Sequence, residues 1–398
     1  KTIDGQRKQK WETYYSEKEA YERKYELENL NMFLGIKPYV RTLNQLLDEY
    51  IELHGQLNWS MSTYTEHASL MHNYIRPHIG SVRIVQINRS LMSRYFQKLQ
   101  NLPRVANKYK PNDTAPIGSV TLHEIHKLLR SVFQQAINWG YMEINPVCHI
   151  NLPAPAPNYK KMLSTEQVLQ AINSAVKRGN NALALMIQLA FVCSMRKGEI
   201  HGLMWEDIDF AKECIQINKE LTRVDLKALR DLNYKGVYHV FPPKNKQSKS
   251  RLVLKEPKTS SSVRTVYLPK TVADSLQAWR QEQEKIQVCQ VPDQDYGLVF
   301  GGPDGYPLCM GKTSRNFKKL VSEFGLSDFY FHSLRYSSTS YKLILSHGDI
   351  KAVQGDNGHA QPDMVLSVYA LIQAEQRKKL ADQVEADFCL QITPVGSK

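Results

Sequence analysis

Two imidazoles, a guanidinium and a phenol fall within about forty residues of this chain: His332-Ser-Leu-Arg335, Gly358-His359 and Tyr369. Upstream, Cys193-Ser-Met-Arg196-Lys-Gly-Glu199 adds a guanidinium and a carboxylate at the end of an apolar run. Opening a phosphodiester without hydrolysis needs groups of these kinds. A nucleophile must keep the bond energy as an ester, cations must hold the non-bridging oxygens, and an acid must protonate the leaving oxygen. Phosphoryl transfer is governed by positioning and charge stabilisation, and arginine serves it with a planar, permanently charged fork. No P-loop and no carboxylate-rich Mg²⁺ site is read, so neither metal nor cofactor is expected. Taken singly, each residue has an ordinary structural use. Tyr369 shares a helical face with Val365 and Ile372 and could be one of 21 tyrosines in a core. Arg196 could satisfy helix-end carbonyls, and His-x-x-Arg is common on surfaces.

The elements that must position these residues read as mainly α with a small antiparallel β-sheet, in a multidomain chain. Ser164-Thr-Glu-Gln167 is a capping box, and the run 182–195 is apolar on all sides, the mark of a core helix. Residues 208–217 and 252–268 have strand character, with a long polar insert between them. Helices resume near Lys270 and dominate from Lys312. Residues 151–161 carry three prolines, and proline blocks helix continuation, so a semi-rigid linker and a domain boundary are expected there. Before it, 39–155 reads as helical. Thr42-x-x-Gln45 opens a helix through Leu53, 62–75 forms a second, Asn88 or Ser90 caps a third to Leu99, and 120–139 is a fourth. In residues 1–38, Ile3-Asp-Gly-Gln-Arg7 reads as a hairpin turn, 8–15 as a strand, and Ser16 with Glu19 as the cap of a charged helix to about Leu30.

Charge narrows the partners. The chain has 398 residues, a formal net charge of +13 and a pI near 9.2. The charge is clustered: seven Lys or Arg against one Glu lie between Lys244 and Arg264. Such a stripe is the footprint of phosphate contacts, and Lys244, Lys246, Lys249 and Arg251 are the candidates within it. Arg104, Lys108 and Lys110, in the loop 101–118, are further candidates. The longest apolar run is about fourteen residues, too short to span a bilayer. Six cysteines form no C-x-x-C pair, and no signal peptide is read in residues 1–30, so a cytoplasmic setting is expected.

The ordered set Arg196, His332-x-x-Arg335, Gly358-His359 and Tyr369 ten residues on resembles the tyrosine recombinases, the phage-integrase family, over most of the chain. The box Ser-Met-Arg-Lys-Gly-Glu is similar to the family's Gly-Leu-Arg-x-Gly-Glu. The resemblance implies roles: Arg196 and Arg335 clamp the phosphate, Glu199 braces the site, His332 and His359 donate hydrogen bonds or pass protons, and Tyr369 is the nucleophile. Lys258, in Pro-Lys-Thr-Ser-Ser-Ser-Val-Arg, matches the family's β-hairpin lysine, the general acid. Tyr336, Asn357 and Ala370-Leu371 depart from the family's usual His, Leu and Thr-His. The resemblance further implies a partial arm-binding-like segment (1–38), a helical core-type DNA-binding domain (39–155), and a mixed α/β catalytic domain (156–398) with a C-terminal tail from about 376. The expected activity is site-specific recombination for a mobile element, a phage or conjugative transposon, through a 3′-phosphotyrosine and a Holliday junction. Double-stranded attachment-site DNA, a tetramer of the chain itself and accessory DNA-bending or excision factors are the implied partners, in a bacterial, nucleoid-associated setting with no membrane. A type IB topoisomerase-like activity and a non-catalytic DNA-binding protein are the alternatives.

Overall fold

A computed structural model of the chain describes residues 42–105, 114–155, 161–289, 295–358 and 381–387, with scattered positions between 2 and 23. The chain divides into two compact units, Lys1–Ala156 and Pro157–Lys398.

The first unit opens with a short antiparallel pair, β1 (Thr2–Ile3) and β2 (Gln6–Arg7), where a hairpin is expected. The Glu19 N–H donates to Ser16 Oγ at 3.2 Å, the expected cap; most of the strand at 8–15 and of the helix beyond lies outside the described residues. Four helices follow. Thr42 and Gln45 form the reciprocal capping box that starts α1 (Leu43–Tyr50). Helical chain then continues to Asn58 through a π-helical turn at Ile51–Gly55. Ser60 caps α2 (Met61–Leu70), which starts one residue before the expected 62. This helix does not stop at Ile75 as expected but runs on to Ile79. A π-helical turn at Met71–Ile75 sets Pro77 in the first turn of the last segment, where its missing N–H costs nothing. Asn88 caps α3 (Arg89–Gln100), and α4 (Ser119–Asn138) follows. Leu46, Tyr50, Met92, Phe96, Ile125 and Leu129 fill the space between them, all nearly inaccessible to solvent.

The second unit is built around α6 (Asn181–Phe191), which Asn180 caps by accepting from the Leu183 N–H at 3.2 Å. Almost every side chain from Leu183 to Phe191 is buried, because no face of this helix offers water a polar stripe. Around it pack α5 (Thr165–Lys177), started by the Ser164/Gln167 capping box, and α9 (Lys270–Cys289), α10 (Met310–Ser322) and α11 (Ser333–Leu345). The short helices α7 (Lys197–His201), α8 (Leu226–Asp231) and α12 (Ile350–Asn357) complete the set used below.

Among the described residues of the second unit, the β structure is not one sheet but two of three strands each. One has the order β3 (Ile208–Asp209), β4 (Cys214–Ile217), β8 (Arg264–Tyr267); the other β5 (Glu220–Asp225), β7 (Ser250–Lys255), β6 (Val237–Val240). All pairings are antiparallel. The polar insert after Ile217 is therefore folded chain that supplies two strands of the second sheet. The stretch 252–268, of strand character throughout, does not form one ladder. Pro257 has no N–H for a ladder, and Thr259 Oγ1 bonds the Ser262 hydroxyl at 2.9 Å in a 3₁₀ turn, so the chain crosses from β7 to the other sheet before resuming as β8.

Candidate active site

The site begins where α6 ends. Ser194 lies in the left-handed region at φ 51°, a conformation unfavourable for a non-glycine residue. Its surroundings hold it there. The side chain is fully buried, with Oγ 2.6 Å from Ser338 Oγ and accepting from Lys342 Nζ at 2.9 Å, while Lys342 also bonds Asp356. The turn delivers Arg196 to the N-cap of α7, with Glu199 one turn on. Arg196 therefore opens a helix and does not satisfy the carbonyls of the one before it.

Glu199 is fully buried between two guanidinium groups. Arg196 donates to it through its backbone N–H at 2.9 Å and through Nη1 at 2.6 Å. Arg264, from the first position of β8, donates Nη1 to Oε1 at 3.2 Å and Nη2 to Oε2 at 3.0 Å. Burial pushes the Glu199 carboxyl up, but Arg264 and then Arg196 outweigh it and hold the group below the usual carboxylate range. A buried carboxylate survives here because two cations bracket it.

Arg335 comes from the first turn of α11 and is 3% exposed. Its Nη1 donates to Ser194 O and its Nη2 to Asn357 O. Burial, then the charge of Arg196, draws its pKa down to about 9, so it remains a cation at neutral pH. The last turn of α12 has no intrahelical donors for its final carbonyls, and arginines supply them. Asp356 O accepts from Arg264 Nε at 2.9 Å, Asn357 O from Arg335, and Gly358 O from Arg196 Nη2 at 2.9 Å. Three consecutive carbonyls thus bind three guanidinium groups drawn from three separate elements. Gly358 closes the helix at φ 59°, ψ 48°, and a Cβ there would meet Ser261 O at 2.9 Å and Arg264 Cδ at 3.0 Å. Both the left-handed backbone and the space demand glycine.

The structure therefore brings together Arg196, Glu199, Arg335 and Gly358, the residue that leads into His359. Lys258 is exposed in the crossing between β7 and β8, not in a hairpin of paired strands as expected. Its loop is tied to the cluster, since Arg196 Nη1 donates to Ser262 Oγ at 3.1 Å. His332, expected on one helical face with Arg335, instead occupies the N-cap of α11 and is exposed where Arg335 is buried; its ring meets Tyr336 edge-on at 4.9 Å. His359 and Tyr369 lie outside the described residues.

Among the expected DNA contacts, Lys246 and Lys249 are exposed in the loop between β6 and β7. Lys244 is already engaged, 2.7 Å from Asp304 and over the Tyr306 ring, and Arg251 Nη1 donates to Ser248 O at 2.7 Å. Arg104 is exposed, its N–H bonded to Ala115 O at 2.9 Å, while Lys108 and Lys110 lie outside the described residues. Sequence reasoning missed Ser194, Arg264, Lys342 and Asp356. For Arg264 one signal existed: it alternates inward with Val266, and a cation on the inner face of a strand requires a buried partner.

The summed charge explains what such a cluster can do. Among the described residues, Arg196, Arg264, Arg335 and Lys342 stand against Glu199 and Asp356, which leaves two positive charges in excess around a buried carboxylate. That is the complement of a phosphodiester gaining charge in a transition state.

Comparison with known proteins agrees. The model of the phage integrase family matches residues 161–376, just over half of the chain. The tyrosine recombinase XerC-like protein of Caldanaerobacter subterraneus subsp. tengcongensis is 24% identical over 387 residues, covering 94% of this chain and 90% of that protein. The integrase of Staphylococcus phage L54a is 20% identical over 365 residues, covering 86% and 92%. Among solved structures, the Tn1549 transposon integrase in complex with transposon right end DNA superposes with a TM-score of 0.62 at 18% identity, over 85% of this chain and 99% of that one. A lambda integrase tetramer bound to a Holliday junction gives 0.53 at 17% identity, over 90% and 88%. With its matched segment spanning the guanidinium cluster from Arg196 to Gly358 and continuing through Tyr369, this chain belongs to the phage integrase family.

Proposed function

We propose that this protein is a site-specific tyrosine recombinase, the integrase of a mobile element. The observation that carries the reading is the cluster of guanidinium groups gathered on the 356–358 carbonyls, with His359 next in the chain and Tyr369 ten residues beyond it. In this reading the Tyr369 phenol oxygen attacks the scissile phosphorus as the bond to the 5′-oxygen breaks. The product is a 3′-phosphotyrosine, and the phenol's proton passes to an imidazole. Arg196 and Arg335 hold the non-bridging oxygens, and His332 and His359 donate to the phosphate or pass protons. Lys258 protonates the leaving 5′-oxygen, whose departure as an alkoxide is otherwise slow. Of its rivals in the basic stripe, Lys255 is committed to Glu220 at 2.7 Å and Lys244 to Asp304, which favours Lys258. Attack by a 5′-hydroxyl from another strand reverses the step and rejoins DNA, so no external energy source is required.

The division of the chain at Ala156 supports the boundary before a catalytic segment 156–398; in this reading 1–38 and 39–155 serve arm-type and core-type DNA binding, with Arg104, Lys246, Lys249 and Arg251 on phosphates. Attachment-site duplexes, assembly as a tetramer, accessory bending or excision factors and a nucleoid-associated, cytoplasmic location complete the reading. The solved relatives, one bound to transposon right end DNA and one a tetramer on a Holliday junction, support the first two. No helix among the described residues is long and apolar enough to cross a membrane.

The test is Tyr369→Phe. This variant should bind attachment-site DNA normally yet form no covalent adduct with a nicked suicide substrate, whereas the unaltered protein should yield an adduct whose attached DNA can be sequenced. An adduct that persists in the variant would overturn the assignment.

A further inference from the structure

Arg264 differs from the other two arginines of the cluster in how it spends its donors. Its side chain is 6% exposed. All five of its N–H groups have acceptors: Nε gives to Asp356 O at 2.9 Å, Nη1 to Glu199 Oε1 at 3.2 Å and Ser262 O at 3.1 Å, and Nη2 to Glu199 Oε2 at 3.0 Å and Ser194 O at 3.5 Å. A guanidinium group has no sixth donor, so Arg264 has nothing left for a phosphate. Arg196 is the opposite case. It is 28% exposed, and its Nε and one N–H of Nη2 have no acceptor among the described residues.

The two share one carboxylate. Glu199 with Arg196 alone would be a closed ion pair, and the positive field that Arg196 presents would be largely cancelled. With Arg264 as a second, internal counter-cation, the trio carries one net positive charge, and that charge sits at the solvent-facing member. Arg264 also joins four separate segments: the Ser194 turn, α7, the Ser262 turn and the end of α12.

We propose that Arg264 is a positioning residue for strand cleavage. It neutralises Glu199 and fixes the 356–358 turn, so that Arg196 keeps both its charge and its free donors for the scissile phosphate. This rests on the recombinase reading, and the experiment separates the two. The measurement is the rate of covalent adduct formation at saturating protein, on the duplex recovered from the adduct of the unaltered protein, with affinity followed by gel shift. If the unaltered protein forms no adduct, the recombinase reading fails and this proposal falls with it.

If it does, Arg264→Met should slow the adduct roughly 100-fold, the size of effect seen when one charge-stabilising donor is lost. Affinity should hold within about 3-fold, because the phosphate contacts that dominate binding lie elsewhere. Adding Glu199→Gln should then speed Arg264→Met about 10-fold, because the carboxylate that cancels Arg196 is gone. A purely structural brace predicts the reverse, since the second change removes further hydrogen bonds. A double variant as slow as Arg264→Met, or an Arg264→Met protein cleaving at the unaltered rate, overturns the proposal. Should Arg264→Met not fold, the double variant, which buries no carboxylate at position 199, decides: if folded it must cleave, and a folded double variant that binds but does not cleave overturns the proposal. Should neither fold, Arg264→Lys decides: it keeps the charge but cannot bridge the carboxylate as a fork, so a roughly 10-fold loss supports the proposal and an unaltered rate overturns it.

Discussion

At the scale of single residues, the site depends on carbonyl groups as much as on cations. Ser194 O and Asn357 O are both buried acceptors for Arg335, and Gly358 O accepts from Arg196. Unpaired buried carbonyls are costly, so each guanidinium group stabilises the turn that in turn holds it. Gly358 is the most exacting position. A methyl group added there meets the Ser261 carbonyl oxygen at 2.9 Å on a backbone already at φ 59°. Gly358→Ala should therefore lower unfolding stability by about 1–3 kcal/mol. It should also suppress adduct formation by displacing the Gly358 carbonyl from Arg196. Thermal unfolding followed by circular dichroism, alongside the suicide-substrate assay, checks both. A melting temperature equal to that of the unaltered protein would show that the turn yields freely.

At the scale of elements, α6 has two jobs. It anchors the core of the second unit, and its C-terminal end launches the Ser194 turn that carries Arg196 into α7. Lengthening or tilting α6 would move the turn and the clamp together. Ile187, with 0% exposure, lies in the middle of this helix, nine residues before Arg196. Ile187→Ala should cost about 2–5 kcal/mol of stability through lost burial and the cavity left behind. Its adduct rate at a temperature where the variant is folded should stay near normal, because the ends of α6 are held by Asn180 and by the Arg335 bond to Ser194 O. A large rate loss without a stability loss would mean that core and clamp are coupled through α6 itself. Glu199 adds an element-scale dependence on pH. Its carboxyl is depressed in the folded chain, so its contribution to stability is present above the ordinary carboxylate pKa and is lost as pH falls through the lower, folded value.

At the scale of the whole molecule, the net charge of +13 makes polyanion binding strongly dependent on salt. Much of the basic stripe is internally employed: Lys244 on Asp304, Lys255 on Glu220, Arg264 in the cluster. Beside Lys244, which is exposed as well but paired with Asp304, Lys246 and Lys249 are exposed in the β6–β7 loop. Replacing both with alanine should weaken DNA binding similarly across sequences and reduce the slope of log K against log salt by about 2. Titration at several salt concentrations measures that slope. An unchanged slope would remove this loop from the DNA-binding surface. Within the expected C-terminal tail, the segment 381–387 is helical and exposed, with Val384 at 47%; Leu380 and Phe388, four residues to either side of it, lie outside the described residues.

Much of this molecule was legible in the order of its residues because the relevant signals are local. Capping boxes at Thr42/Gln45 and Ser164/Gln167 span four residues each, and both open helices where they are read. The apolar run before Cys193 is a buried helix, and its all-round burial follows from composition alone. The resemblance of the ordered set to the tyrosine recombinases likewise singled out Arg196, Glu199, Arg335 and the Gly358-His359 pair. Tertiary structure decided what these groups do, because the deciding contacts join positions far apart in the chain. Arg196 and Gly358 are 162 residues apart, and Arg264 and Asp356 are 92 apart. No periodicity reports that three carbonyls at the end of α12 are exposed to capping by three arginines. Nor does strand propensity distinguish one sheet from two, since it describes a residue's fit to a pleated surface and not which surface. Strand character across 252–268 therefore does not show that the chain changes sheets at 256–263. Arg264, counted in sequence as one more surface cation, became the most completely bonded side chain of the cluster only when β8 paired with β4 and turned it inward.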